Sequence, residues 1–397
     1  MSKIEKKLIL IAVLIRLLVM PFFYHPDIKS QHYHFQFFSK GVLNIYEYLH
    51  QNKNSLGYKD TFNYLPLTYY TFGLTQTISK PFLGNGFYSW INDWGETRNN
   101  HVNIIYYMLI LKIPYLILDI WLGILLLKIF KNSKLFYIWL FNPISIYLIY
   151  ILGNFDILPS FLTVLSFYFL RKNKLIYSYL SIGVAIALKM YPVIFVPFIF
   201  FYNPKDFLKH LKYCWFSLIP ILLTVLPLIT QLSFTNSFFG SGLTQKILEY
   251  KLLNIPIFPI FYLLILINYI FSKSKYKFEL AVSQMFFVFI GLVKFHPQWI
   301  IWFLPFVLVI FINSKNINKT YISFFFILIF AYIFLFNDNF LFWGHLVPID
   351  PLFADLTSPF QLIKQKFLIN PVIIQNQIHQ ILLFLGIIGS FFYAKKK

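Results

Sequence analysis

The feature that most constrains the fold of this chain is a succession of apolar runs, each of roughly 12–25 residues, separated by short links rich in Lys and Asn. Hydrophobic residues occupy 58% of the 397 positions and charged residues only 12%, whereas a soluble domain carries about 25% charged residues. A membrane β-barrel would instead alternate apolar and polar residues in units of about ten. The pattern therefore predicts an all-α, polytopic membrane protein embedded in the lipid bilayer.

The distribution of charge predicts the topology of the chain. About twelve transmembrane helices would place both termini on one side, where twenty of the 34 Lys and Arg residues accompany only three acidic ones. By the positive-inside rule this side is cytoplasmic, in the cell membrane or, for a eukaryote, the endoplasmic reticulum membrane. The basic clusters thus account for the net charge of +20 without a nucleic-acid partner. The predicted segments are 8–24, 103–128, 135–151, 157–170, 175–188, 191–202, 213–230, 255–271, 278–292, 297–312, 320–336 and 372–394.

We expect residues 1–397 to form a single integral membrane domain with three extracytoplasmic loops. The first, 25–102, is long, and its 32–50 portion is polar enough for a juxtamembrane helix on the membrane surface. Its 64–82 portion predicts a juxtamembrane hairpin, because a spanning helix there would invert every later charge cluster. The other outer loops are 231–254 and 337–371. The N-terminal apolar run lacks a small-residue cleavage site and is interpreted as a retained signal anchor.

Two charged residues, Asp156 and Lys189, lie inside the most apolar part of the chain. A charge in lipid costs roughly 2.5–3.5 kcal/mol, so each is a candidate functional residue. Asp156 follows Gly153-Asn154-Phe155 and Lys189 precedes Met190-Tyr191-Pro192, and both stretches break helices. Two alternatives remain: Asp156 could cap a helix, and Lys189 could extend its ammonium to the interface. A place in a protein-lined cavity on the outer side is the sharper interpretation, because irregular backbone at membrane depth needs such a cavity.

Two further polar groups are predicted at the same outer depth. His25-Pro26-Asp27 follows the first helix, where Asp27 is either a functional carboxylate or an interfacial residue at a helix end. Lys294, His296 and Gln298 form a polar knot before the 297–312 segment. A carboxylate near several cations suits transfer from a phosphate-bearing donor, since the cations stabilise a leaving phosphate and the carboxylate accepts a proton. The histidines have no metal-ligand spacing and no phosphate-binding glycine loop occurs, so neither a metal nor a cofactor is predicted.

The residues at these positions resemble those of the C-fold (GT-C) glycosyltransferases, multi-pass enzymes that use lipid-phosphate sugar donors. The likeness is greatest to mannosyltransferases that begin GPI-anchor synthesis and to bacterial mannosyltransferases that use polyprenyl-phosphate mannose. It spans roughly residues 8–312 and keeps the order of the motifs. The stretches that carry it are Pro26-Asp27-Ile28, Tyr64-Leu65-Pro66-Leu67, Leu118-Asp119-Ile120, Trp139 with Asn142-Pro143, Gly153-Asn154-Phe155-Asp156, Lys189-Met190-Tyr191-Pro192, and His296-Pro297-Gln298-Trp299 with Trp302 and Pro305.

The resemblance implies that Asp27 is the catalytic base and that the donor phosphate lies near Lys189 and His296, with the prenyl tail in an aromatic groove. Eukaryotic relatives carry a second Asp two positions after the first, where this chain has Lys29. We hypothesise that Lys189, Lys294 and His296 hold the phosphate and that Asp156 orients Lys189 or a sugar hydroxyl. The remaining substrate-binding candidates are His25, Tyr64, Asn154, Tyr191 and Gln298.

The sequence therefore predicts an inverting glycosyltransferase that moves a sugar, with mannose favoured, from a polyprenyl-phosphate donor to a lipid-linked or glycan acceptor. Two alternatives belong to other classes. One is a transporter or flippase of lipid-linked sugars, since transporters also have broken helices and charges within the membrane. The other is a non-catalytic membrane subunit of a glycan-assembly complex. The absence of repeated halves and the grouping of polar residues on one face favour the enzyme.

Overall fold

The computed structural model describes residues 2–95, 99, 101–240, 246, 248–293 and 295–392. These residues are mostly helical, as predicted for an all-α protein. Within them, extended structure is confined to a short antiparallel pair, β1 (Lys251–Leu252) and β2 (Ile255–Pro256), in which Lys251 faces Pro256 and Leu252 faces Ile255. This pair lies in the loop 231–254 and at its end, outside the apolar helices.

Most of the apolar α-helices begin and end close to the predicted apolar segments, because polar links and prolines interrupt the apolar runs. The helices of the first half are α1 (Lys3–Val19), α2 (Pro26–Phe35), α3 (Ile45–Gln51), α4 (Pro66–Asn92), α5 (Ile104–Phe130), α6 (Ser133–Leu140), α7 (Pro143–Ile146), α8 (Ile157–Arg171) and α9 (Leu175–Leu188). Those of the second half are α10 (Val196–Phe200), α11 (Phe207–Tyr213), α12 (Ile219–Val225), α13 (Leu232–Phe239), α14 (Ile257–Phe271), α15 (Lys277–Leu292), α16 (Leu304–Asn313), α17 (Asn316–Phe334), α18 (Pro359–Phe367) and α19 (Pro371–Phe392).

By length and apolarity, two helices of the described ranges are able to cross a membrane singly, Ile104–Phe130 and Pro371–Gly389. Two bent pairs raise this number to four: α1 with α2, bent by 87°, and α6 with the segment that follows it, bent by 42°. Several other apolar helices are shorter. A helix of 15 residues such as α8 covers only about 22 Å at 1.5 Å per residue. The structure fits a membrane protein, and the number of about twelve spans stays a prediction.

The prediction of a hairpin within 64–82 is wrong. Residues 66–83 lie in the first part of α4, and the helix bends only afterwards, at Gly84 (φ 68°, ψ 178°). The hydroxyl side chains of this stretch satisfy their hydrogen bonds inside the helix. Thr75, Thr77 and Ser79 each donate to the carbonyl four residues earlier, at 2.8–3.0 Å. Such back-bonding allows hydroxyl side chains to remain in an apolar helix.

Buried charges tie α1 to its neighbours. Arg16 Nε lies 2.5 Å from Asp119 Oδ2, and both side chains are fully buried. Asp119 also accepts hydrogen bonds from Trp139 Nε1 and from the hydroxyl of Tyr150, each at 2.8 Å. Because every partner is buried with the pair, the carboxylate is compensated without water. Asp119, which belongs to a motif of the resemblance, is thus a structural residue that positions α1 and α5.

Lys112 stabilises the end of α1. Its ammonium donates to the carbonyl oxygens of Met20 (3.0 Å), Phe23 (2.5 Å) and Tyr150 (2.7 Å). The carbonyls at the C-terminal end of a helix have no partners within the helix, so a buried ammonium there satisfies them. These bonds hold the chain at the point where it turns from α1 towards α2 and Asp27.

Candidate functional site

Asp156 and Lys189 form an ion pair at neighbouring helix ends. Asp156 precedes α8 and Lys189 follows α9, and these two helices are antiparallel neighbours. Lys189 Nζ lies 2.6 Å from Asp156 Oδ1, with 2% of the Asp156 side chain and 11% of the Lys189 side chain exposed. Among the described residues the Asp156 carboxylate makes no capping hydrogen bond to α8. The structure therefore differs from both alternatives, the helix cap and the exposed lysine.

Aromatic rings surround the ammonium of Lys189. Its Nζ lies 5.4–5.5 Å from the ring centroids of Tyr64, Phe155 and Trp302. Trp302 stacks on Tyr191 with centroids 3.9 Å apart and planes 2° from parallel. Ring faces attract a cation electrostatically, so these rings stabilise the ammonium where little water reaches it. Two of the predicted substrate-binding residues, Tyr64 and Tyr191, thus belong to the aromatic wall around Lys189.

Asn154 shapes the same break. Its side-chain oxygen accepts a hydrogen bond from the backbone N–H of Asp156 at 3.3 Å. Its Nδ2 is buried and has no hydrogen-bond partner among the described residues. A buried amide without a partner costs free energy, which marks Asn154 Nδ2 as a group able to bind a ligand oxygen.

Asp27 and His25 lie beyond the end of α1, where α2 begins. Asp27 is 42% exposed and His25 is 12% exposed, and His25 Nδ1 lies 3.5 Å from Asp27 Oδ1. The same nitrogen lies 3.2 Å from the backbone N of Asp27. A neutral ring accepts that N–H and caps α2, whereas a protonated ring faces the carboxylate. Protonation of His25 therefore exchanges the cap for an ion pair.

The pKa values of this pair move apart. Burial raises the pKa of Asp27, but the charge and hydrogen bond of His25, followed by the charges of His296 and Lys189, outweigh it and lower the pKa below 3.8. Burial lowers the pKa of His25, but the charge and hydrogen bond of Asp27, together with the charge of Asp338, outweigh it and raise the pKa above 6.5. The Asp27 carboxylate is consequently ionised at neutral pH. The charges of His296 and Lys189 also act on this carboxylate and help to lower its pKa.

His296 and Lys246 bring two further basic groups to this region. His296 Nε2 lies 3.3 Å from Nζ of Lys246, and its ring packs against Trp299 at 5.4 Å between centroids. Lys246 Nζ also lies 5.7 Å from the Trp299 ring. Partial desolvation and the charge of Lys246 lower the pKa of His296 below 6.5. Two basic groups thus approach each other directly, an arrangement that an anion between or beside them stabilises.

The six ionisable residues of the site are named the charge cluster. The charges of Asp27, Lys189 and His296 affect one another, so the start of α2 and the two helix breaks contribute to one site. Lys294 lies outside the described residues. Gln298 is half-buried on the segment that follows His296. The charge cluster consists of His25, Asp27, Asp156, Lys189, Lys246 and His296.

Gly153 permits the close approach of α2 to the Asp156 break. Its φ of 63° belongs to the left-handed region that favours glycine. A Cβ at this position would lie 2.2 Å from Cδ1 of Ile28, the residue after Asp27. Packing of Ile28 on a bare backbone therefore sets the position of Asp27 relative to Asp156.

Lys29, two positions after Asp27, is only 1% exposed. Its Nζ donates to the carbonyl oxygen of Asp93 at 2.5 Å. It also lies 5.1 Å from the rings of both Trp90 and Trp94. Lys29 thus fastens α2 to the end of α4.

Sequence reasoning missed Lys246. It lies in the loop 231–254, where no motif or spacing distinguishes it from other surface lysines. Its contact with His296 joins residues fifty positions apart in the chain. Ser160 was also missed: its hydroxyl hydrogen-bonds that of Tyr191 at 2.9 Å. Its position about one helical turn after Asp156 was the sequence signal that could have identified Ser160.

Two cavities described in the structure lie away from the charge cluster. One, of 460 Å³, lies at the opposite ends of α8 and α9. The other, of 150 Å³, lies between α3 and α13 and includes His50, Lys59 and Ser233 in its lining. The predicted cavity at the Asp156 and Lys189 breaks is neither of these.

Comparisons with known proteins give two matches. Residues 115–251 match Glycosyltransferase family 87. The chain is also 25% identical over 259 residues to GPI mannosyltransferase 1 of Kluyveromyces lactis, over 62% of this chain and 57% of that protein. The chain thus spans little more than half the length of this curated relative. No solved structure matches it. Both matches confirm the predicted resemblance to C-fold glycosyltransferases of the mannosyltransferase type.

Proposed function

We propose that this protein is an inverting glycosyltransferase of the membrane that transfers a sugar, mannose in the favoured case, from a polyprenyl-phosphate donor. The acceptor is a lipid-linked or glycan hydroxyl on the outer face. One observation carries the proposal: the half-exposed Asp27 carboxylate stands at the start of α2, whose Ile28 packs on Gly153 beside the helix break that holds the Asp156–Lys189 ion pair. A base and phosphate-binding cations on one site are the groups that this transfer needs.

The proposed step removes one proton and breaks one bond. Asp27 accepts the proton of the acceptor hydroxyl, whose oxygen attacks the anomeric carbon from the side opposite the phosphate. The bond between the anomeric carbon and the phosphate oxygen breaks, and its electron pair leaves with the polyprenyl phosphate. The configuration at the anomeric carbon is inverted because attack and departure occur on opposite faces. No metal enters this step.

The cations of the charge cluster stabilise the departing phosphate in this mechanism. The donor phosphate carries one negative charge as a diester, and its charge grows as the anomeric bond breaks. Asp156 neutralises much of the charge of Lys189, so the ammonium of Lys246 supplies additional positive charge. The imidazole of His296, whose pKa is below 6.5, supplies an N–H donor to the phosphate. Lys294 is proposed as a fourth phosphate-binding residue on its sequence position alone.

The remaining proposed contacts position the sugar. Asn154 Nδ2 is buried without a partner among the described residues and is assigned to a sugar hydroxyl. Tyr64 and Tyr191 contribute ring faces and hydroxyls on the wall around Lys189, and Asp156 orients that ammonium. His25 tunes Asp27, and Gln298 is placed at the edge of the site.

The test is transfer by the purified protein of label from radiolabelled polyprenyl-phosphate mannose to a membrane-glycan acceptor extract. We expect label in product and release of polyprenyl phosphate. Asp27→Asn should reduce the rate at least about 100-fold while donor binding remains, because general bases typically contribute 10²–10⁴-fold. Asp60→Asn, in the same outer loop, is the matched control. Full activity of Asp27→Asn would exclude it as the base, and movement of intact donor across vesicles without transfer would favour the flippase.

A further inference from the structure

The 460 Å³ cavity lies at the ends of α8 and α9 that are remote from the charge cluster. The site occupies the start of α8 and the end of α9, and this cavity occupies the end of α8 and the start of α9. These helices are 15 and 14 residues long, so the two places are about 20 Å apart along the helix axes. The cavity therefore opens on the opposite face of the protein from the charge cluster.

Two basic links form the walls of this cavity. One joins α8 to α9 and contributes Asn173 and Lys174; the other leads into α11 and contributes Asn203, Asp206, Lys209 and His210. The stretches 171–174 and 205–212 together hold six Lys and Arg residues and one acidic residue. That acid, Asp206, is already paired, with Oδ1 2.9 Å from Lys209 Nζ. Lys174 and Lys209 are the lysines of these stretches that line the cavity, so one positive charge remains there beside the Lys209–Asp206 pair.

The lining also contains three tyrosines. Tyr177, Tyr202 and Tyr213 all border the cavity, and Lys174 Nζ lies 6.0 Å from the Tyr177 ring. Tyrosine and lysine are the side chains that occupy the headgroup level of membranes, where a ring meets lipid and a polar tip meets water. The cavity therefore has the composition of a site at the membrane interface.

The surface outside the cavity is apolar. Leu208 and Leu211 of α11 are 76% and 53% exposed, and the adjacent Trp215 is 52% exposed. On the same helix, Lys209 is 70% exposed by its side chain. A short helix with exposed leucines beside exposed lysines is suited to the boundary between headgroups and acyl chains. A ligand with both a charged head and an apolar tail fits this arrangement.

We propose that this cavity binds the headgroup of an anionic phospholipid, with its acyl chains along Leu208, Leu211 and Trp215. Lys174 and Lys209 contact the phosphate, and the tyrosine hydroxyls contact the phosphate and glycerol oxygens. Basic pockets between membrane helices on the cytoplasmic side bind anionic headgroups in this manner. This lipid is distinct from the donor and the acceptor of the proposed transfer, and its binding does not depend on that reaction.

The test measures retention of phosphatidylglycerol and phosphatidylcholine by the full chain, using native mass spectrometry after detergent extraction. We expect selective retention of phosphatidylglycerol in the unaltered protein. The double variant Lys174→Gln and Lys209→Gln should lose about 25-fold in affinity, since each lysine near an anionic lipid is worth about fivefold. The matched control is Lys315→Gln with Lys319→Gln, two lysines on another link of the same predicted face that do not line the cavity.

Two further measurements test the proposal: lipid retention by arginine variants and binding of phosphate compounds without lipid. The variant with Lys174→Arg and Lys209→Arg keeps both positive charges and should retain the lipid. If the variant with both glutamines does not fold, Lys174→Gln alone replaces it. Inorganic phosphate and glycerol phosphate, added without lipid, should neither bind tightly nor raise Tm. Equal losses in the cavity and control variants would overturn the proposal, because general surface charge would then explain the binding. Tight binding of free phosphate would overturn it in favour of a soluble anion.

Discussion

At the scale of single residues, the environment decides which carboxylate in an apolar chain is able to react. Asp119 is fully buried and held by Arg16, Trp139 and Tyr150. Asp27 is 42% exposed, and its closest titratable partner among the residues that the structure describes is His25. Both belong to motifs of the resemblance, which implies a catalytic role for Asp27 and leaves the role of Asp119 open. Access to solvent and to a substrate makes Asp27 the candidate base and Asp119 a structural residue.

We predict that His25 controls the pH dependence of transfer. Its pKa is raised above 6.5 mainly by Asp27, although burial acts in the opposite direction. Below that pKa the imidazolium pairs with the Asp27 carboxylate; above it, the neutral ring caps α2 and the carboxylate is available. The transfer rate should therefore increase as the pH rises through the pKa of His25, which lies above 6.5. The stability contributed by the pair is present below 6.5 and is lost over the same rise.

Measurement of kcat/KM against pH checks this prediction. His25→Asn keeps a side chain able to cap α2 but removes the titrating ring, so the rise above pH 6.5 should disappear. The loss of His25 should also return the pKa of Asp27 towards 3.8, since His25 is its principal charged partner. Superimposable pH profiles of the two proteins would contradict the assignment.

We predict that Lys246 contributes to donor binding through its charge. Lys246→Ala removes the cation that lies 3.3 Å from His296 and should raise the donor KM about tenfold, the effect of losing one charge-assisted hydrogen bond. Lys246→Arg should restore most of the affinity, and the pKa of His296 should rise in Lys246→Ala because Lys246 lowers it. Lys251→Ala, an exposed lysine of the same stretch, is the control. Equal KM values in both alanine variants would contradict this role.

At the scale of elements, the site is assembled from helix ends. The break before α8 and the break after α9 meet because the two helices are antiparallel neighbours joined by a tight link at 172–174. The start of α2 approaches them through Gly153. A helix end leaves backbone groups without partners inside the helix and lets side chains project along the axis. Charges are tolerated there more readily than in the middle of a helix.

We predict that Gly153→Ala disturbs catalysis more than folding. The left-handed backbone costs a non-glycine residue about 1–3 kcal/mol, and the new Cβ would in addition lie 2.2 Å from Ile28 Cδ1. Movement of Ile28 would displace Asp27 from the cations. Gly41→Ala is a matched control, because Gly41 also has a positive φ, 81°, but no atom within 4 Å of a Cβ. Thermal unfolding and transfer rates of the two variants separate strain from displacement; equal transfer rates would contradict the positioning role of Gly153.

At the scale of the whole molecule, the charge cluster and the basic cavity occupy opposite ends of α8 and α9. This separation agrees with the side assigned to the Lys and Arg clusters by the positive-inside rule. We predict that the loop 25–102 is extracytoplasmic and that the link 172–174 is cytoplasmic. Cys214 is the single cysteine, so Cys214→Ser provides a background for new single cysteines.

Labelling of intact cells with a membrane-impermeant maleimide checks this topology. Ser55→Cys, at an exposed position of the first outer loop, should be labelled directly. Lys172→Cys, exposed on the α8–α9 link, should be labelled only after permeabilisation. The reverse pattern would place Asp27 in the cytoplasm and invert the predicted topology.

The sequence by itself determined the all-α class, the approximate bounds of most apolar helices and the polar residues that merit attention. Apolar periodicity, prolines and isolated charges act locally, so they are readable along the chain. It predicted a hairpin within 64–82 because the charge clusters disfavour a spanning helix there. The chain is instead helical from Pro66 up to the bend at Gly84, and the hydroxyl bonds that accommodate Thr75, Thr77 and Ser79 depend on backbone geometry.

Only the tertiary structure decided which polar groups meet. The pairing of Lys189 with Asp156, the cation at His296 supplied by Lys246, and the burial of Lys29 between Trp90 and Trp94 join residues 33 to 65 positions apart in the chain. Such contacts depend on how helices pack, and no local pattern encodes a partner at that distance. The charge cluster is therefore a property of the folded molecule, although each motif that contributes to it, apart from Lys246, is visible in the sequence.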